Sequence, residues 1–204
     1  MASVKLTKTE LKRQKDQLKR YQRYLPTLLL KKQQLQLVIR KVEHEIEEYR
    51  KKQKEVHDSL LCWVGVYGEN SSFKSTKKLE HLVVVENILR STGNVAGVNI
   101  PIFVELTFKD IPYNLYEYPL WVDKGIESMK DIAKYDAIIV VLKKQIELLT
   151  DELRTTSQRV NLFDKIKIPE AKNNIKRISI VLGDQQTAAV VRGKIAKKKL
   201  MKVS

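Results

Sequence analysis

The sequence predicts a mainly α protein: a long antiparallel two-helix coiled coil with a small β-hairpin-containing tip between the helices. Three observations carry that prediction. An apolar seam of heptad spacing runs through the first sixty residues, a second one occupies the C-terminal half, and the stretch between them has the glycine, proline and β-branched content of short strands. Composition agrees, since 7 Gly, 5 Pro and 31% charged residues suit long helices better than a compact sandwich or an α/β enzyme. The chain then divides into 1–60, an N-terminal long helix; 61–122, a small β-containing cap; and 123–204, a C-terminal long helix with a basic tail.

The first helix starts at a capping box, Thr7-Lys8-Thr9-Glu10, in which the Thr and Glu side chains satisfy each other's free amides. With Leu11 at heptad position a, the a sites are Leu11, Leu18, Leu25, Lys32, Ile39, Ile46, Gln53 and Leu60. The d sites are Gln14, Tyr21, Leu28, Leu35, Val42, Tyr49 and Val56. Twelve of these fifteen are apolar and the phase holds for seven heptads, which marks a coiled coil rather than an ordinary amphipathic helix. Such a helix would be on the order of 80 Å long and needs a second long helix beside it. Lys32 and Gln53 read as polar interruptions that set register. Pro26 should kink the helix between Gln22 and Pro26 without ending it, because the phase survives across it.

Between Leu61 and Val122 charge density falls, and four of the seven glycines (Gly65, Gly68, Gly93, Gly97) and three of the five prolines (Pro101, Pro112, Pro119) appear. Val95 to Val104 and the following Glu105-Leu106-Thr107-Phe108 read as short strands or a hairpin, and His81 to Leu89 as either a strand or a short helix. A segment of this size buries only a marginal core by itself.

Helical period returns at Asp123, a plausible N-cap. The second seam is Ile132, Tyr135, Ile139, Leu142, Ile146, Leu149, Leu153, Thr156, Val160 and Phe163, nine of ten apolar. Beyond Phe163 the register slips by one residue, and Ile168, Ala171, Ile175, Ile178, Leu182 and Ala189 carry the seam past Pro169. Folding this helix back on the first zips the two seams together.

Charge is uneven. Of the net +15, residues 1–32 hold 10 Lys and Arg against 2 acids and residues 165–204 hold 11 against 2, so antiparallel pairing gathers both basic tracts at one extremity. Basic ends admit nucleic acid, anionic lipid or an acidic protein surface as partner. No run approaches the roughly 18 apolar residues a membrane span requires, and Met1 to Lys5 leads into charged helix without a signal-peptide core. The single Cys62 excludes an internal disulfide, fits a reducing cytoplasmic compartment and is expected as a small buried apolar residue.

Chemistry-bearing constellations are lacking in the pattern. His44, His57 and His81 have no ligand-spaced partners, Gly193-Lys194-Ile195 makes no phosphate loop, and Glu43, Glu45, Glu47 and Glu48 beside Arg40, Lys41 and Arg50 form a solvated helix face. A non-enzyme with no metal and no cofactor is expected. The residues alone leave room for a coiled-coil nucleic-acid-binding protein, although no stacking aromatics interleave the basic residues, and for a prefoldin-like chaperone, which also pairs long helices around β-hairpins.

The run Thr156-Ser157-Gln158-Arg159-Val160-Asn161-Leu162-Phe163-Asp164-Lys165-Ile166-Lys167-Ile168-Pro169 resembles the signature of the D subunit of the V-type and archaeal-type rotary ATPases, with Asn173-Asn174-Ile175-Lys176-Arg177-Ile178 after it. Asn94 to Pro101, including Gly97 and Pro101, resembles that family's central turn and strand. Thr7-Lys8, Leu11, Leu18, Leu28, Lys31-Lys32 and Leu35 resemble its first helix. Pro26 and Gly183-Asp184-Gln185-Gln186 depart from the family pattern, so bends or fraying are expected near the basic end. The resemblance implies a central-stalk rotor, a non-catalytic component transmitting torque between the A and B subunits of the catalytic hexamer and the membrane ion-translocating ring. It is expected to serve ATP-driven ion transport or ATP synthesis. Implied partners are those A and B subunits, the small F subunit and a membrane-ring adaptor, with no nucleic acid and no direct membrane span; the implied place is cytoplasmic and peripheral to the membrane. Lys12, Arg13, Lys194, Lys197, Lys198 and Lys199 become the partner-facing basic end.

Overall fold

The computed structural model describes residues 4–62, 81–114, 118 and 121–203. Gly65, Gly68 and Pro119 lie outside them. In chain order the elements are α1 (Lys8–Leu61), the strands β1 (Val84–Val95) and β2 (Val98–Lys109), α2 (Val122–Asn161), a π turn (Leu162–Lys167) and α3 (Ile168–Val203). They form two compact units. Residues 1–32 and 154–204 make the first, residues 33–153 the second.

Each unit pairs its helices antiparallel. In the second, Tyr49 stacks near Tyr135 with ring centroids 6.1 Å apart, Val42 and Ile46 meet Ile139 and Leu142, and Leu35 meets Leu149. Sequence numbers fall on one helix as they rise on the other. In the first unit Tyr21 packs on Phe163 at 5.3 Å. All fifteen a and d positions of α1 are buried or half-buried, as the heptad phase requires of a seam with a partner along its length. Gln53, a polar a site, uses its amide in a cross-helix bond, Nε2 donating to Asp136 Oδ1 at 2.8 Å.

Helix α1 runs through Pro26 without interruption. Thr7 Oγ1 accepts the Glu10 amide at 3.3 Å, one half of the capping box. The Glu10 carboxylate faces Gln14 Nε2 at 2.8 Å and Arg13 at 3.7 Å. Helix α2 begins two residues earlier than an Asp123 N-cap implies: the Trp121 carbonyl accepts the Gly125 amide at 3.0 Å, which leaves Asp123 in the first turn, where its charge still favours the helix dipole. Cys62 is exposed, contrary to the buried reading, because it lies just past the last turn of α1, where the seam has ended.

Of His81 to Leu89, the residues from Val84 onward are strand, and β1 pairs with β2 from Val84↔Lys109 to Val95↔Val98. The two-residue turn Ala96-Gly97 has positive φ at both positions, 51° and 82°, the conformation whose twist matches that of two antiparallel strands. Asn94 holds it. Its Oδ1 accepts the Gly97 amide at 3.1 Å and its Nδ2 donates to Asn99 Oδ1 at 2.9 Å. Register shifts at Glu86 and Val104 add twist.

The hairpin lies along the helices rather than beyond their ends. Ile100, Val95 and Val98 pack on Leu35 and Leu149, and Phe103 packs on the Val42–Ile139 cluster. Helix α2 accordingly buries a wider stripe than an a/d seam, adding Ile138, Val141 and Gln145. At the hairpin's base, Leu82, Val122 and Ile126 make a third cluster with Ile111, Tyr113 and Trp121.

Leu35 and Leu149 are both fully buried while Leu37 is 59% exposed. Urea unfolding should therefore show a loss of about 2–5 kcal/mol for Leu35→Ala or Leu149→Ala and less than about 0.5 kcal/mol for Leu37→Ala. Gly97→Ala places a Cβ at a left-handed position and should cost about 1 kcal/mol by the same measurement, although open space surrounds it.

Candidate functional site

Among the described residues no group of three His, Cys, Asp or Glu side chains could hold a metal ion, and His44 and His57 sit exposed beside Glu48 and Asp58 at 3.5 and 3.9 Å. No helix among them is long and apolar enough to cross a membrane.

Of the seam residues, Leu35, Val42, Ile46, Ile139, Leu142, Leu149 and Val160 are buried, and Leu11, Leu18, Leu28, Ile39, Ile146 and Leu153 are half-buried. The motif residues bracket two local irregularities. Arg159, Asn161 and Pro169 are exposed and Val160 and Ile168 buried around the π turn, where the Ile168 amide donates to the Phe163 carbonyl five residues back. That wide turn is the one-residue slip in the second seam. It brings Ile168, Ala171, Ile175 and Ile178 round to the inward face, and Ile178 has no exposed surface at all. Gly97 and Pro101 belong to the hairpin, and the Pro101 carbonyl accepts Gln145 Nε2 at 2.6 Å.

Lys12, Arg13, Lys194, Lys197, Lys198 and Lys199 are all exposed and all belong to the first unit. That unit holds 23 Lys and Arg against 5 Asp and Glu, a formal +18, whereas the second holds 16 against 19, or −3. The tail is a helix, not the frayed end expected from Gly183, and α3 passes through both Pro169 and Gly183. The inward seam of α3 stops at Leu182, so Ala189 is exposed rather than part of it; every residue from Gly183 to Met201 is exposed. The cause is length. Thr7, Glu10 and Gln14 line one hollow with Glu170 and Asn174, and α1 begins at Lys8, so α3 overhangs its partner. Val190, Val191, Ile195, Leu200 and Met201 are 50–72% exposed on this overhang.

The chain belongs to the ATP synthase D-subunit family. That family's pattern matches residues 10–198. A protein of Borreliella burgdorferi named as the D subunit of V-type ATP synthase is 49% identical over 202 residues, covering 99% of this chain and 97% of that protein. Proteins of the same name from Chlamydia pneumoniae and Chlamydia abortus are each 33% identical, over 97% and 98% of this chain and 93% and 94% of their own lengths. The resemblance of the Arg159–Pro169 run to the V-type D subunit thus extends to the whole chain.

What the heptad spacing does not disclose is the hairpin-facing side of α2. Its signal is present, because Ala137-Ile138-Ile139-Val140-Val141-Leu142 is too continuously apolar for a two-helix seam. Gln145 was less legible, since a buried amide amid such a run is satisfied only by a carbonyl from a distant strand.

At the hairpin's base the Tyr113 hydroxyl donates to the Asp123 carboxylate. That hydrogen bond, followed by desolvation and by the carboxylate's charge, raises the Tyr113 pKa above the ordinary tyrosine value. The raised group favours the folded state fully below its unfolded pKa, and the contribution fades as pH rises through the folded value. In spectra of ring-labelled tyrosine, Asp123→Asn should shift the Tyr113 titration downward.

Proposed function

We propose that the protein is the central rotor shaft of a V-type ATP synthase, carrying torque between the catalytic hexamer and the membrane ring. The observation that carries this reading is the α3 overhang: a continuous, strongly basic helix that packs against no other helix among the described residues, extending from a helix pair whose seams are otherwise filled. Most helical stability in proteins comes from packing an apolar face, so the segment would gain stability where another surface covers it. Apolar side chains at half exposure among lysines suit many shallow contacts, and a rotating part needs contacts that exchange rather than one deep lock.

The helix pairs supply what transmission needs. Twisting one helix against the other would drag a/d side chains out of a close-packed seam, so the pair resists torsion as a unit. In this reading the basic first unit enters the axial cavity between the A and B subunits, the small F subunit binds the shaft's side, and a ring adaptor takes the other end. The chain itself performs no bond chemistry and lies on the cytoplasmic side, peripheral to the membrane. It serves ion transport or synthesis according to the direction of the torque.

Cys62 gives the test a handle, as the single and exposed cysteine of the chain. A bead tethered there, on a complex rebuilt with an immobilised hexamer, should turn when ATP is added. With the chain ending at Leu182, ATP hydrolysis should continue while rotation is lost or becomes irregular. A bead that stays still on an assembled, ATP-hydrolysing complex with the full chain would overturn the proposal.

A further inference from the structure

The π turn carries a penalty that neither helix needs for itself, since its hydrogen-bond geometry is poorer than that of α-helix. Continued without it, the heptads that end at Val160 and Phe163 would next place Lys167, Glu170, Asn174, Arg177 and Val181 against α1. With it they place Ile168, Ala171, Ile175, Ile178 and Leu182 there, the first two buried to 9% and 3% exposure. One extra residue therefore separates a seam that buries charges and an amide from one that is apolar throughout.

Something must also hold the extra residue in place. A π turn moves along a helix when successive amides exchange a partner five residues back for one four residues back, and Ile168 is the last residue of the turn region to donate five back. The next residue is Pro169, which has no amide to exchange. In regular α-helix its ring would press on the Lys165 carbonyl, and that carbonyl belongs to the widened turn. The proline thus stands at the one place in this stretch where its two defects are already absorbed.

We infer that the π turn is a one-residue insertion locked in position by Pro169, and that Pro169 is a positioning residue setting the rotational phase of α3 within the first unit. A bulge displaced past it would turn the helix between the old and new places by about 100°. The overhang's lysines and apolar side chains inherit their direction from this lock. The inference stands independently of the rotor reading, because it concerns only the phase of α3 relative to α1 and the end of α2.

Two variants of the full chain test it, with hydrogen exchange and paired spin labels as readouts. Deleting the exposed Lys165 in a Pro169→Ala chain removes the insertion together with the ring that a regular helix would not accommodate, and restores an unbroken heptad. Its Tm should be no lower than that of the parent, and the amides of residues 164 and 166–168 should exchange about tenfold more slowly. A lower Tm or lost helix content would show that the residue is not an insertion. Pro169→Ala frees the turn to wander, so amides of residues 166–172 should exchange about tenfold faster. Labels at Arg13→Cys and Lys194→Cys in a Cys62→Ser chain should then give a broadened distance distribution where the parent gives a narrow one. If Pro169→Ala instead slows exchange, raises Tm and leaves the distribution narrow, the proline is only a tolerated defect and the lock is refuted.

Discussion

A helix that buries one narrow stripe depends, turn by turn, on another helix presenting a matching stripe. That constraint governs the rest of this protein. The phase of α1 is unbroken from Leu11 to Leu60, so every irregularity has to be absorbed by the other strand of the pair. The second seam keeps phase through α2 to Phe163, inside the π turn, and the six residues of that turn bring Ile168 back onto the seam. Pro26 and Gly183 disturb less, because neither changes which residues face inward: the helices run on through both. A shift of phase is the more disruptive defect, and among the described residues it occurs once, at a position closed by a proline.

The β hairpin answers a different problem. Two helices alone bury one stripe each, and α2 carries more apolar surface than that, with Ile138 and Val141 buried outside the strict a/d positions. The hairpin covers this surplus with Ile100 and Phe103, and Gln145 fastens it by donating to the Pro101 carbonyl. Proline at 101 fits this use, since the residue supplies a carbonyl while giving no amide of its own to the ladder. Most of β1 stays exposed, as in a ribbon held by one strand.

Much of this was readable from the order of residues. The seams were legible because apolar spacing of 3.5 is a property of the chain alone, and the slip after Phe163 was legible as a break in that spacing. How the slip would be built was not, since a looped-out turn, a kink and a π turn all consume one residue. Short strands or a hairpin could be read over Val95 to Phe108, but the bulges at Glu86 and Val104 arise from pairing between residues far apart in the chain, which local pattern does not encode. Cys62 misled because small apolar residues are usually buried, and a helix end is an exception that depends on where the partner stops. The proposed surface follows the same division: the basic residues were identifiable, while their exposure depended on the relative lengths of α1 and α3.

That difference in length links fold to function. Had α1 begun one or two turns earlier, it would have paired with part of residues 183–201 and the apolar side chains there would be covered by the chain itself. Instead Val190, Val191 and Ile195 stand half-exposed among Arg192, Lys194 and Lys197. Like charges along one helix repel each other and weaken it in isolation, and the repulsion is relieved by an acidic or strongly polar surround rather than by anything on the first unit, which is itself at +18. On the proposed rotor reading, an outside surface would complete this segment, and a basic helix extended from a pair that resists being twisted apart would serve as the end of a shaft that is gripped and still turns.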